Sequence, residues 1–382
     1  MRKYPLKVAK SLETRKQEHA FRNLGNCSSL IDFSSNDYLG IAASKEVFWK
    51  SHEILLENSI LQNGATGSRL LSGNHKLYEI AEKAIAKFHE TEAALIFNSG
   101  YDANVGIFSS IPKRNDIILY DEFVHASIRD GISMGKAKAY KFRHNDLSDL
   151  RRIAKKVTDT NDDAEVFVVT EAVFSMDGDS PNFETMLTYA EEQGFFLIID
   201  EAHSVGVDGT NGSGLVQKMA FQERIFARIV TFGKALGAHG AAVLGSEVLR
   251  DYLINFARSF IYTTALPPHA LATVIASYEY LQNSAEVEKL NKRIHFFQSE
   301  VQKMTFKDLF LESDSAIHCC ILPGNEKVKA VSARLKKEGF DVKAILSPTV
   351  SPGKERLRIC LHSFNSEEEI SRLLFLINTF VK

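Results

Sequence analysis

Thr231-Phe-Gly-Lys-Ala-Leu-Gly237 is the stretch on which the reading of the chain turns. Ile229-Val-Thr-Phe232 is β-branched and aromatic, which predicts a short buried strand, and two glycines then bracket a single lysine. A lysine directly after a buried strand lies at the carboxyl edge of a sheet, where open α/β folds bind ligands. Desolvation there favours the neutral amine, and a neutral amine condenses with aldehydes. Taken alone, Lys234 reads first as a solvated lysine in a turn.

The residues upstream change that reading. Phe195-Phe-Leu-Ile-Ile199 is an apolar run that ends in Asp200-Glu-Ala-His203. A run apolar on both faces fits a central parallel strand, and an acid at its end is costly to bury unless a cation or a donor meets it. Asp200 by itself reads first as a helix N-cap or a metal ligand. Strand-Asp-x-x-His followed by strand-Gly-Lys is more specific, because pyridoxal phosphate enzymes pair an acid with the protonated pyridine nitrogen to make the ring an electron sink. Lys234 and Asp200 are therefore read as the two ends of one cofactor, pyridoxal 5'-phosphate.

The length of 382 residues predicts one large and one smaller domain. Hydrophobic content of 45% and charged content of 25% are those of a globular protein, and a net charge of -2 gives no reason to expect nucleic acid or an anionic membrane as partner. Cys27, Cys319, Cys320 and Cys360 have neither zinc-site nor disulfide-framework spacing, so no metal is expected and a reducing cytoplasm is. Met1-Arg-Lys-Tyr-Pro5 is not followed by an apolar core, so no secretory leader is expected, and no run has the length of a membrane span.

Along the chain, Val8 to Leu24 is charged and helix-permissive. Ala94-Leu-Ile-Phe97 predicts a buried strand, Asn98-Ser-Gly100 a turn, and Tyr101 onward a helix, which aims free N–H groups at one point suited to a phosphate. Further strands are expected at 117–120, 166–170, 195–199, 229–232 and 241–244. His125, Ser175, Asp200, His203, Thr231 and Lys234 all fall at or just after strand ends, where a mainly parallel sheet places its chemistry. Leu266-Pro-Pro268 marks a break, followed by a polar helical stretch to about Met304 that leads out of the sheet domain. The remainder has its own αβ pattern, with a capping box at Ser366-x-x-Glu369. The expected division is an N-terminal helix and arm (1–40), a cofactor-binding domain (41–265) and a small C-terminal domain (266–382).

Phe33-Ser-Ser-Asn-Asp-Tyr-Leu-Gly40, Ser99-Gly-Tyr-Asp-Ala-Asn104, Val169 to Asp179, Asp200-Glu-Ala-His203, Thr231-Phe-Gly-Lys234 and Phe256 to Thr264 together resemble the α-oxoamine synthases. The likeness extends from about Arg15 to the C-terminal helix and is greatest for the biotin-pathway branch. It implies an α/β protein of the fold type I pyridoxal phosphate transferases, with a large, mainly parallel sheet of the seven-stranded type and a smaller α+β domain. It also implies an enzyme, a PLP-dependent acyltransferase. Lys234 would hold the cofactor covalently and carry the proton at Cα; Asp200 would meet the pyridine nitrogen, His203 and Ser175 the phenolic oxygen, and His125 the ring face. Gly100, Tyr101 and Thr231 would reach the phosphate, joined by Thr264 from the other subunit of a homodimer. Arg22, Asn36, Thr349 and Arg358 would lie on the substrate side, Arg358 holding the amino acid's carboxylate through its planar fork. The implied substrates are L-alanine, or else glycine or serine in sister enzymes, and an acyl thioester, here pimeloyl on coenzyme A or a carrier protein. Tyr78 and Leu346 depart from the pattern, standing where many members have histidine and some have arginine.

Overall fold

The computed structural model describes residues 5–18, 20–22, 24, 29–158 and 163–381, and Cys27 lies outside them. They form two compact units. The larger holds Asn36–Ser175 and Asp179–Leu290; the smaller gathers the described residues of Met1–Ser35, Met176–Gly178 and Asn291–Lys382.

The larger unit is built on seven strands: β1 (Ala93–Phe97), β2 (Ile117–Asp121), β3 (Lys138–Phe142), β4 (Val166–Glu171), β5 (Phe196–Asp200), β6 (Ala227–Thr231) and β7 (Ala241–Gly245). Their order across the sheet is β1-β7-β6-β5-β4-β2-β3. Only β7 runs antiparallel to its neighbours, so the sheet is mainly parallel as expected. Successive side chains on a strand face opposite sides, and here both sides are covered. Ile118, Phe167, Val169 and Ile198 belong to one apolar core, whereas Ile117, Leu119, Val166, Val168, Leu197 and Ile199 belong to the other. Burial on both faces explains why these strands read as unbroken apolar runs.

The edge strand β3 was not expected. Its sequence, Lys-Ala-Tyr-Lys-Phe, leaves Lys138, Tyr140's neighbour Lys141 and part of Tyr140 to solvent, and only Phe142 is fully buried. An edge strand carrying lysines gives no apolar run to read.

The break at Leu266 does not open a second domain. Pro268–Asn283 is a core helix of the larger unit, burying Leu271, Val274, Tyr278 and Leu281. A second helix, Glu286–Gln302, follows it, and the division between units falls at Leu290 and Asn291 inside that helix.

In the smaller unit, Lys343–Ile345, Arg356–Cys360 and Ile317–Ile321 form an antiparallel sheet in that order. Ile31–Asp32 pairs in parallel with Phe340–Asp341, which ties the N-terminal arm to this unit. The N-terminal helix spans Leu6–Gln17 and stops before Arg22. The capping box forms as read: Ser366 N–H donates to Glu369 at 2.9 Å, and Glu369 N–H donates to Ser366 Oγ at 3.1 Å.

Candidate active site

The carboxyl ends of β1, β2, β4, β5 and β6 deliver the polar residues of the larger unit. Lys234 follows β6 by three positions, and its Nζ lies 2.6 Å from His203 Nε2. His203 is buried, and its Nδ1 lies 2.7 Å from the hydroxyl of the fully buried Tyr38. Tyr38 donates in turn to Asn36 Oδ1 at 3.2 Å. Lys234, His203 and Asn36, read from distant parts of the sequence, thus meet in one chain through a tyrosine that was not singled out.

Asp200 ends β5 and is buried. One carboxylate oxygen accepts the Ala202 N–H at 2.9 Å, and the other accepts an amide hydrogen of Asn104 at 2.8 Å. Asn104 also donates to Ser127 Oγ at 3.0 Å, and that oxygen lies 2.7 Å from His125 Nδ1. His125 is held from behind as well, its N–H donating to Glu171 Oε1 at 2.5 Å. Burial lowers the His125 pKa, the Asp200 charge opposes that and the Lys234 charge reinforces it, with a net shift downward. Glu171 lies beside Asp200 on adjacent strands, and burial, then the Asp200 charge, push its carboxyl up to about 8.

The turn bearing Asp200 and His203 is anchored by a buried ion pair. Arg228 Nε donates to Glu201 at 2.7 Å and its Nη2 lies 2.6 Å from the same oxygen. The other Glu201 oxygen accepts from Ser204 Oγ at 2.9 Å and from Val216 N–H at 3.0 Å.

Gly100 is the first residue of the helix Gly100–Ser110. Ser99 caps it, accepting the Asp102 N–H at 3.1 Å, and helix geometry leaves the Gly100 and Tyr101 N–H groups without an acceptor inside the helix. A Cβ added at Gly100 would lie 3.8 Å from the Thr231 side chain, so the exits of β1 and β6 converge on a small cradle that a larger residue would fill. Thr231 Oγ1 donates to the Gly240 carbonyl at 3.2 Å. The Tyr101 hydroxyl donates to Asp130 at 2.7 Å. Ser175 lies in the turn after β4, and Thr264 is exposed, its carbonyl accepting from Asn98 at 2.7 Å.

Arg22, Thr349 and Arg358 belong to the smaller unit. Arg22 and Thr349 are exposed, while Arg358 is buried in the strand Arg356–Cys360 with Nη1 3.0 Å from Cys360 Sγ. Tyr78 has a structural reason for its place: its hydroxyl accepts the Leu266 N–H at 2.7 Å, and the Arg69 guanidinium lies 3.8 Å from its ring centre.

Asn104, Ser127, Glu171 and Tyr38 all touch expected site residues without having been predicted as part of the site. The available signal was a polar residue inside an apolar helical run, as in Ala103-Asn-Val-Gly-Ile-Phe108.

An amine for an aldehyde, a buried carboxylate for a pyridinium nitrogen, and helix-start N–H groups beside a glycine for a phosphate are the donor set that pyridoxal phosphate needs. The residues present fit that cofactor. With this sheet they define a fold type I pyridoxal phosphate transferase. Residues 28–376 match the aminotransferase class I and II family. The 8-amino-7-oxononanoate synthase of Emericella nidulans is 41% identical over 372 residues, covering 93% of this chain and 90% of the relative. The solved 8-amino-7-oxononanoate synthase of Francisella tularensis is 31% identical with a TM-score of 0.76, covering 92% of this chain and 97% of that one. A serine palmitoyltransferase from S. paucimobilis with bound PLP–myriocin aldimine is 25% identical with a TM-score of 0.88, covering 98% of this chain and 96% of that one. The chain belongs to the aminotransferase class I and II family and, within it, to the α-oxoamine synthases.

Proposed function

We propose that the chain condenses L-alanine with a pimeloyl thioester to give 8-amino-7-oxononanoate, carbon dioxide and the free thiol, as a step of biotin biosynthesis. The observation that carries this reading is the 41% identity to an 8-amino-7-oxononanoate synthase across nearly the full length of both chains.

When bound, pyridoxal phosphate supplies an electron sink for negative charge at the amino acid's Cα. The chain's own residues prepare its site. Asp200 offers a buried carboxylate to the pyridine nitrogen, and His125 presents its ring to the cofactor face. His203 and Ser175 address the phenolic oxygen. The Lys234 amine would hold the aldehyde carbon and then serve as the base that takes and returns the Cα proton. Gly100, Tyr101 and Thr231 hold the phosphate, with Thr264 contributed across a homodimer. Arg358 grips the alanine carboxylate, and Arg22, Asn36 and Thr349 line the substrate side. Pre-placed charges of this kind lower the barrier because they need no reorganisation as charge develops. The buried cysteines Cys319, Cys320 and Cys360, none of them in a disulfide, suit a cytoplasmic enzyme, and among the described residues no helix is long and apolar enough to cross a membrane.

A second reading, serine with a long-chain acyl thioester, has in its favour the higher TM-score to the serine palmitoyltransferase. Mass spectrometry of products from holoenzyme given alanine, glycine or serine with pimeloyl, acetyl or palmitoyl thioesters separates the two. Preference for alanine and pimeloyl supports the first reading; preference for serine and palmitoyl overturns it in favour of the second.

A further inference from the structure

The geometry points to Asn104 as a positioning residue that sets both the cofactor's acid and the histidine on the cofactor's face, with Ser127 as its link to the latter. The inference rests on the reading of Asp200 as the partner of the pyridine nitrogen.

Asn104 is 1% exposed in a helix whose neighbouring residues, Ala103, Val105, Ile107 and Phe108, belong to the core. A primary amide is costly to bury there unless its hydrogens are used. Both are used. One goes to Asp200 Oδ2 at 2.8 Å and the other to Ser127 Oγ at 3.0 Å, whereas Asn104 Oδ1 is buried with no hydrogen-bond partner. The orientation of the amide is decided by charge, since turning it over would place its oxygen against the Asp200 carboxylate.

That orientation propagates. Ser127 Oγ accepts from Asn104 with one lone pair, which leaves its hydrogen available to His125 Nδ1 at 2.7 Å. The Ser127 N–H also points at Nδ1, at 3.3 Å. A nitrogen that receives two donors carries no proton, which puts the proton of the neutral imidazole on Nε2. One side chain thereby holds Asp200 directly and, through Ser127, the ring of His125, whose tautomer the Ser127 N–H fixes. The backbone is shaped to allow it: a Cβ at Gly131 would come within 2.9 Å of the Asn104 carbonyl oxygen, so glycine lets the helix Ala126–Met134 bring Ser127 close.

The test compares holoenzyme of Asn104→Ala, Ser127→Ala, Asp200→Asn and the Asn104→Ala/Asp200→Asn pair with wild type. Readouts are the cofactor Kd by fluorescence titration and the visible circular dichroism of the bound cofactor, which reports ring orientation. Loss of a hydrogen bond to a charged group predicts that N104A raises the cofactor Kd about 10- to 100-fold. N104A weakens the visible dichroism, S127A weakens the dichroism with a smaller change in Kd, and the double variant is no worse than D200N. Wild-type Kd and dichroism in N104A, beside an impaired D200N, overturn the proposal. If N104A does not fold, wild-type dichroism in S127A overturns it. A D200N protein indistinguishable from wild type instead removes the placement of Asp200 against the nitrogen, which is a separate failure.

Discussion

Lys234 Nζ and His203 Nε2 are 2.6 Å apart, and the Tyr38 hydroxyl lies 2.7 Å from the other ring nitrogen of His203. The histidine is held at both nitrogens, so its ring plane is set before any ligand arrives. Tyr38→Phe keeps the buried ring and deletes that grip. The expected result is a kcat lowered about three- to thirtyfold, the worth of one or two hydrogen bonds, with the melting temperature little changed. Steady-state kinetics on the folded variant check it, and an unchanged kcat would contradict it.

Glu171 is a buried carboxyl beside a second carboxyl, and its pKa is pushed up from an ordinary 4.5 to about 8. The folded state therefore holds a proton that the unfolded chain gives up near 4.5, and stability falls as pH rises from there through about 8. Glu171→Gln keeps the acceptor for the His125 N–H and has nothing to ionise. At about pH 9 the apoprotein variant should be roughly 1–3 kcal/mol more stable than wild type, and the difference should vanish in acid. Thermal melts of both across pH decide the matter.

His144 behaves in the opposite chemical sense. Burial lowers its pKa, but Asp121 at 2.9 Å and Asp179 at 2.8 Å outweigh burial and raise it from 6.5 to about 10. Its ring is stacked on Phe123 with centres 4.4 Å apart. The stabilisation is complete below the unfolded value of 6.5 and is lost as pH rises through about 10. His144→Ala removes the cationic partner of the fully buried Asp121, which keeps the Phe123 and Asn145 N–H groups, and should cost about 3 kcal/mol near neutral pH, with the gap closing in alkali. Denaturant titration at two pH values measures it.

These networks mark how far the sequence can be read. Strands apolar on both faces are legible as runs, so β4, β5, β6 and the residues at their exits, Ser175, Asp200, His203 and Lys234, could be placed from the sequence. The strand at Lys138–Phe142 was not legible, because an edge strand with lysines has no such run. Leu266-Pro-Pro268 reads as a domain break, yet a proline at the first turn of a helix is where helices tolerate one, and the helix that Pro268 starts packs into the larger unit. Asn104 and Ser127 could not be assigned because their partners, Asp200 and His125, come together only through strand order.

Arg228 and Glu201 are 2% and 0% exposed, and the pair braces the turn that carries Asp200 and His203. Arg228→Ala leaves Glu201 buried and uncompensated, which should cost about 3–5 kcal/mol. Replacing both residues with apolar side chains of similar volume should recover much of that loss. Chemical denaturation of the single and double variants gives the comparison.

In the proposed reaction Cα of the amino acid gains an acyl group and loses its carboxyl group in one catalytic cycle. Holoenzyme supplied with carboxyl-labelled L-alanine and a pimeloyl thioester tests it directly. The label is expected to leave entirely as carbon dioxide, matched one for one by free thiol and by unlabelled 8-amino-7-oxononanoate. Label retained in pyruvate, with the thioester intact, would show an amino-group transfer instead and contradict it.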